Sequence, residues 1–169
     1  AGAFVDATTT SKLGGVAVQS MTPFDSDHEG DVDLLISDGT RARLWRNELP
    51  PIAANTAPSV VRAVSFSDVG AASGLATDVA NAALAVGDFE NGNDTDAITL
   101  SMSADTRLWT NRRGNRFQDI ALATDVAALR ARTVAVGDFD ADGWLDLVVA
   151  NDAGVQLATN RGDGTYGAA

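Results

Sequence analysis

Cysteine is absent from the 169 residues. That excludes a disulfide framework, a thiolate metal site and a cysteine nucleophile. It leaves the compartment open, because exported proteins can also lack cysteine. Lysine occurs once, as Lys12, and histidine once, as His28. A single histidine without a recognisable serine or cysteine partner gives no catalytic triad. No apolar run reaches the roughly 18 residues that a membrane-spanning helix needs. No leader pattern is visible, which leaves a mature, a truncated or a cytoplasmic chain open.

The composition is otherwise that of a folded domain, with 45% hydrophobic residues and 16 glycines. The chain is long enough for a sizeable core. Its formal net charge of −11 argues against nucleic acid or an anionic membrane surface as partner. The acidic residues are clustered. Of 23 Asp and Glu, five lie in 25–33, four in 88–96 and four in 138–146, which makes 13 in three short windows. Something must offset that crowding.

The windows are copies of one another. PFDSDHEGDVDLLIS, GDFENGNDTDAITLS and GDFDADGWLDLVVAN align. TRARLWRNE, TRLWTNRRG and VQLATNRGD follow them. Between units come FSDVGAASGLATDVA and FQDIALATDVAAL, and FVDATTTSKLGG opens the chain. Asp25 to Asp88 spans 63 residues and Asp88 to Asp138 spans 50. The first unit is longer because of 48–60, which holds Pro50, Pro51 and Pro58. Proline is poorly tolerated within a sheet, so this segment reads as a surface insertion and a candidate partner-specific loop.

Each unit offers four short β candidates. In the third they are 133–136, 145–150, 155–159 and a start at Thr165; in the second, 82–86, 96–101, 107–110 and 116–120. Asp38-Gly39 suits a tight hairpin turn. Four antiparallel strands in a repeat of about 50 residues fit a β-propeller blade. The expected fold is therefore all-β: a propeller segment of three four-stranded blades, with repeats near 13–67, 68–118 and 119–169. Propellers close with about four to eight blades. The expected partners are thus the remaining blades or other copies of the chain. Phe4-Val5-Asp6 resembles the final strand of a preceding blade.

The acidic windows have the spacing of cation loops. In the third, Asp138, Asp140, Asp142 and Asp146 stand at positions 1, 3, 5 and 9, with Gly143 at 6 and Trp144 at 7. Ca²⁺ takes six to eight oxygens at about 2.3–2.6 Å. Alternate residues of a tight loop can turn carboxylates inward, position 7 can offer its carbonyl, and glycine at 6 permits the positive φ that bends the chain. The first loop holds Asp25, Asp27, Glu29, Gly30, Asp31 and Asp33. The second keeps Asp88, Glu90, Asp94 and Asp96, but Gly92 stands at position 5 and Asn93 at 6. Two Ca²⁺ ions are expected, in the first and third loops, with weaker or no binding in the second. Solvated acidic turns are the alternative, since Asp favours turns. Yet two carboxylates about 4 Å apart repel by roughly 4 kcal/mol at an effective dielectric of 20, and the arrangement occurs three times. An EF-hand needs Glu at position 12 and flanking helices. Here position 12 is Ile36, Thr99 and Val149, and the flanks read as strands.

These residues resemble the FG-GAP/VCBS repeat family. GDFDADGWLDLVVAN…LATNRGDGTY is similar to the VCBS form, and FSDVGAASGL to the ASPIC/UnbV-associated linker. The resemblance implies a ring of about seven blades, with one Ca²⁺ in the hairpin between the two inner strands of a blade. The integrin Phe-Gly and Gly-Ala-Pro signatures are missing, so an integrin-type ligand site is not implied. Position 2 is Phe89 and Phe139 in two loops but Ser26 in the first, where Phe24 is expected to fill the core instead.

Four remaining features have plain readings. His28, at position 4, is expected to point outward. Arg161-Gly162-Asp163 falls in a polar hairpin turn. Asn93-Asp94-Thr95 is formally a glycosylation sequon, but a glycan there would obstruct the loop. Trp45 and Trp109 recur at equivalent strand positions, as repeat packing requires; the ring of Trp144 is expected over its loop. The function expected is a non-catalytic, calcium-stabilised module that binds or scaffolds a protein or glycan partner outside the cell, on its surface or in a periplasm. The alternatives are a propeller module of a larger secreted hydrolase or lyase, and a lectin-like propeller.

Overall fold

The computed structural model describes residues 4–49, 63–77, 83–120, 122 and 124–168. The proline-bearing insertion 48–60 lies almost wholly outside the described residues. Three antiparallel sheets follow one another along the chain. The first contains β1 (Ser20–Phe24), β2 (Asp33–Ser37), β3 (Ala42–Asn47) and β4 (Phe66–Asp68) in that order. The second contains β6 (Ala83–Gly87), β7 (Asp96–Leu100), β8 (Arg107–Asn111) and β9 (Phe117–Ile120). The third contains β10 (Thr133–Gly137), β11 (Asp146–Asn151), β12 (Gly154–Asn160) and β13 (Tyr166–Ala168). These are the four-stranded blades expected from the repeat. A fifth strand of the first sheet, β5 (Ala76–Thr77), pairs with β3 and was not legible in so short a segment.

The register explains the repeated windows. Phe24 pairs with Asp33, Gly87 with Asp96 and Gly137 with Asp146. Each acidic window is thus the connection between the first two strands of a blade, and its last Asp is the first residue of the second strand. Asp38-Gly39 forms the next turn, where Gly39 adopts φ 90° and the Asp38 N–H donates to Arg41 O at 3.0 Å.

The blades stack through their faces. β6 lies against β1 on one side and β10 on the other. Two apolar slabs result. Between blades 1 and 2 lie Leu35, Leu44, Leu75, Ala97, Trp109 and Phe117. Between blades 2 and 3 lie Phe89, Ile98, Leu100, Leu108, Val126, Leu147 and Tyr166. Successive strand residues point to opposite faces, so one central blade feeds both slabs: Ala97 faces one way and Ile98 the other. Each fully buried Leu or Ile contributes about 1.5–3 kcal/mol. Trp109 is packed by the repeat as expected, with Nε1 donating to Thr99 Oγ1 at 3.2 Å. Gly87 is required by this stacking, since a Cβ there would lie 2.7 Å from Leu145 Cδ1 of the next blade.

The inter-blade segments also repeat. A Phe-x-Asp strand leads into a single helical turn, α2 (Gly70–Ser73) or α3 (Thr124–Ala127). Asp68 Oδ1 accepts from Gly70 N at 3.0 Å and starts α2. Before α1 (Thr8–Ser11), Asp6 Oδ1 accepts from Thr8 N at 2.9 Å. Phe4-Val5-Asp6 itself forms no strand, contrary to its sequence likeness. Phe66 and Phe117 pair with Asn47 and Asn111 of the third strand of their own blades, whereas Phe4 has no such strand among the described residues and is fully exposed.

Candidate metal centre

The three loops share one scaffold built on their first and last carboxylates. At position 1, Asp25 Oδ2 accepts from Gly30 N at 3.0 Å, Asp88 Oδ2 from Asn93 N at 2.8 Å and Asp138 Oδ2 from Gly143 N at 3.0 Å. At position 6, Gly30, Asn93 and Gly143 take φ of 84°, 63° and 92°, the bend expected of glycine and tolerated by asparagine. Position 4 is left-handed as well: His28, Asn91 and Ala141 have φ of 63°, 51° and 63°. Nothing in the sequence pattern marked that second bend.

The position-9 carboxylates are buried. Asp33 Oδ2 accepts from Ser26 N at 3.0 Å, Asp96 Oδ2 from Phe89 N at 3.1 Å and Asp146 Oδ2 from Phe139 N at 2.9 Å. Their Oδ1 atoms accept from Asn47 N at 2.7 Å, Asn111 N at 2.9 Å and Asn160 N at 2.8 Å. Each Asp therefore clamps the loop to the end of the third strand. A carboxylate oxygen has two lone-pair sites, so one N–H per oxygen leaves acceptor capacity on Asp96 and Asp146. Asp33 Oδ2 also accepts from the Ser26 hydroxyl and keeps its spare capacity on Oδ1. Burial nonetheless favours the neutral form. It holds Asp33 above the ordinary carboxylate range, against the bonds from Ser26 and Asn47. It pushes Asp96 up to about 6, with smaller contributions from Glu90 and Asp88.

The asparagines were not singled out as functional, although each aligned window ends in Trp-x-Asn or Ala-Thr-Asn. Their side chains join the blades. Asn111 Nδ2 donates to Thr95 O of its own blade at 3.2 Å and to Ser26 O of blade 1 at 2.8 Å. Asn160 Nδ2 donates to Leu145 O at 3.3 Å and to Phe89 O of blade 2 at 3.0 Å. Asn47 Nδ2 makes the own-blade bond, to Val32 O at 3.1 Å.

From here the loops diverge. In the first, oxygens of Asp25, Asp27 and Asp33 lie within 4.8 Å of one another. Asp25 Oδ1 is buried with no hydrogen-bond partner. An ionised oxygen in that state is costly unless a cation meets it. Asp31 is held above its ordinary range by burial and by the crowd of Asp33, Asp27, Asp25 and Glu29. Neither Asp31 nor Glu29 joins the three-residue group, and Glu29 is exposed. In the third loop, Asp138, Asp140 and Asp142 form a group within the same 4.8 Å. Asp140 is raised by burial and by Asp142 and Asp146. Asp146 lies outside the group, bound in its clamp. The Trp144 N–H donates to Asp142 Oδ1 at 2.9 Å. Its ring lies over the outer turn of its blade rather than over its own loop: a Cβ at Gly162 would meet Trp144 Cε2 at 2.5 Å.

The second loop forms no such group among the described residues. Its acids meet arginine and histidine side chains instead. Arg113 Nε lies 3.1 Å from Asp94 Oδ2, His28 Nε2 lies 3.2 Å from Asp94 Oδ1, and Arg112 Nη1 lies 3.4 Å from Glu90 Oε1. Asp88 accepts from Gly92 N and Asn93 N, both at 2.8 Å. His28 therefore does not simply point outward; it reaches from the first loop to the second. Asn115 Nδ2 returns from blade 2 to Asp27 Oδ2 at 2.7 Å, and its Oδ1 meets the Ser26 hydroxyl. Ser26 is fully buried, while Phe24 fills the core and stacks edge-on to Phe117 at 6.3 Å, as expected. Arg161-Gly162-Asp163 forms the β12–β13 turn, with Asp163 Oδ1 accepting from Thr165 N at 2.9 Å.

Residues 88–149 and 138–169 each match the family model described as FG-GAP-like repeat. No curated protein matches the chain.

Proposed function

We propose that this chain, which belongs to the FG-GAP-like repeat family through residues 88–169, is a calcium-stabilised β-propeller module. Asp25, Asp27 and Asp33 would hold one ion and Asp138, Asp140 and Asp142 a second, with the remaining coordination from loop carbonyls and water. The divalent charge would neutralise the carboxylates. The chain's own groups do the rest: Asp33 and Asp146 clamp each loop to its blade, and positions 4 and 6 bend it. The observation that carries this reading is the buried, unpartnered Asp25 Oδ1 inside a three-carboxylate group.

In this reading the second loop is a strut rather than a metal site. The module is non-catalytic and acts outside the cell, on its surface or in a periplasm, presenting loop ends to a protein or glycan. Among the described residues no helix is long and apolar enough to cross a membrane. Titration calorimetry on the metal-free chain tests the proposal. Two Ca²⁺ per chain and a higher melting temperature in calcium than in chelator are expected. No heat of binding and equal melting temperatures would sink it. A glycan array probed with and without chelator tests the ligand class; no binding in either condition rejects the glycan.

A further inference from the structure

The first acidic loop is held by the blade that follows it. Three consecutive residues of that loop meet blade 2. Ser26 O accepts from Asn111 Nδ2 at 2.8 Å, Asp27 Oδ2 accepts from Asn115 Nδ2 at 2.7 Å, and His28 Nε2 lies 3.2 Å from Asp94 Oδ1. Asn115 reaches further than its one bond to Asp27. Its Oδ1 meets the Ser26 hydroxyl, which also bonds Asp33 Oδ2. A single side chain of blade 2 is therefore tied to two members of the Asp25, Asp27 and Asp33 group, one directly and one through Ser26. The third member, Asp25, keeps its Oδ1 buried and unpartnered.

The joint between blades 2 and 3 supplies the comparison. The first loop groups its acids at positions 1, 3 and 9, and the second loop is acidic at the same positions, in Asp88, Glu90 and Asp96. It forms no such group among the described residues. Gly92 at position 5 excludes a group at 1, 3 and 5 like that of the third loop. It does not exclude one at 1, 3 and 9, because Glu29 at position 5 of the first loop takes no part in that group. The two loops part at position 3. Asp27 is held by the neighbouring blade, whereas Glu90 lies 3.4 Å from Arg112 of its own blade. The β12–β13 turn of blade 3 matches the β8–β9 turn, with Arg161 N donating to Thr165 O as Arg112 N donates to Arg116 O. Gly164 then stands in the place of Asn115, with φ 83° against 57°, and has no amide to offer the second loop. Position 2 changes with it, from the buried Ser26 to Phe89 in the apolar slab.

We propose, resting on the calcium reading above, that the first calcium site is built from two blades, with Asn115 of blade 2 as its positioning residue. Asn115 turns Asp27 into the group and steadies Asp33 through Ser26. Calcium in the first loop then also fastens blade 1 to blade 2, because the carboxylates it fixes are tied to that blade. Such coupling is reciprocal: loss of the Asn115 amide weakens the ion, and loss of the ion loosens the joint.

The test uses the complete chain carrying Asp138→Ala, which removes the third-loop ion and leaves the first to be titrated. Asn115→Gly keeps the turn, since glycine suits the left-handed backbone and already stands there in blade 3. Added to Asp138→Ala, it should weaken calcium binding in calorimetry by about 10- to 100-fold, the usual effect of removing a group that orients a ligand. Added instead to Asp25→Ala, where only the third loop binds, it should leave the affinity unchanged. A second readout needs no change at Asn115. In the Asp138→Ala chain, calcium should slow amide hydrogen exchange in the blade 2 turn 111–117, and Asn115→Gly should abolish that slowing. No calcium heat from the Asp138→Ala chain would remove the calcium reading of the first loop and this inference with it. Calcium bound equally well with and without Asn115, an equal loss in the Asp25→Ala background, or exchange in blade 2 that ignores calcium would each overturn the inference alone.

Discussion

In the third loop, three carboxylates converge within 4.8 Å, and no arginine among the described residues pairs with any of them. In the second, Asp94 is shared by Arg113 and His28, and Glu90 lies beside Arg112. The backbones are otherwise the same, from the N–H groups gathered by Asp88 and Asp138 to the clamps of Asp96 and Asp146. The difference follows from two substitutions. Gly92 removes the position-5 carboxylate, and Asp94 at position 7 places a charge where Trp144 has none. With fewer converging acids and an Arg-Arg pair on the adjoining turn, fixed cations can balance the second loop. Among the described residues the third has no such neighbours, and under the proposed function an ion would supply the balance there.

Calcium dependence of paired variants gives the largest expected contrast. Asp138→Ala and Asp88→Ala each remove a carboxylate that accepts two backbone N–H groups. A site saturated 100-fold above its Kd adds about 2.7 kcal/mol. At about 2–4 °C per kcal/mol for a chain of this size, Asp138→Ala should lower the melting temperature by about 5–10 °C more in calcium than in chelator. Asp88→Ala should lower it equally in both. Equal calcium dependence of the two variants, measured by scanning calorimetry, would erase the distinction between the loops.

Acidification comes next. Asp96 titrates near 6 in the folded chain, against 3.8 as its reference value, and Asp31, Asp33 and Asp140 are displaced in the same direction. The folded state therefore binds these protons more tightly than the unfolded state. For Asp96 in chelator, stability should rise as pH falls from about 6 to about 4, by at most about 1.4 kcal/mol per pH unit. Asp38, lowered to about 2 by Thr40 and Arg41, opposes this only below about pH 4. In calcium the slope should reverse, because protons compete with the ion for the loop carboxylates. Melting curves at pH 6 and 4.5 check the sign; parallel slopes with and without calcium count against the metal.

Arg113→Ala should have a smaller effect. Its partner Asp94 is half-buried, but the guanidinium is exposed, so the pair is worth about 0.2–1 kcal/mol. The loss should be the same in calcium and chelator and should shrink in high salt. A loss found only in calcium would show that the strut reading is wrong. The finest test converts one loop toward the other. Gly92 has no positive φ and a Cβ would lie 3.4 Å from Glu90 Oε1, so Gly92→Asp is accommodated. Combined with Arg113→Ala it should raise calorimetric stoichiometry from two Ca²⁺ to three. An unchanged value would mean that position 5 and arginine do not decide occupancy.

Much of this was legible beforehand. Strand positions in blades 2 and 3 agreed within a residue or two, because hydrophobic patterning and turn residues act locally. That the second loop gathers no three-carboxylate group among the described residues agrees with the missing side chain at Gly92. The interaction of Arg112 and Arg113 with that loop was not, although NRRGN lay in plain view. It depends on which turn the third strand delivers to which side of the hairpin. His28 is exposed as expected, but its contact with Asp94 was not legible for a similar reason. A left-handed residue at position 4 turns the side chain toward the next blade, and only stacking supplies Asp94 there.

Residues a few positions apart determined the strands, the loop bends and the grouping of carboxylates, since hydrogen bonds and φ preferences within a hairpin need no distant partner. Tertiary structure alone decided the joints. Asn111 finds Ser26 and Asn160 finds Phe89 across 85 and 71 residues of chain. Such bonds form only after whole blades have buried their faces against each other. Which surfaces are left to meet a partner is for the same reason a property of the stack, and no single repeat contains it.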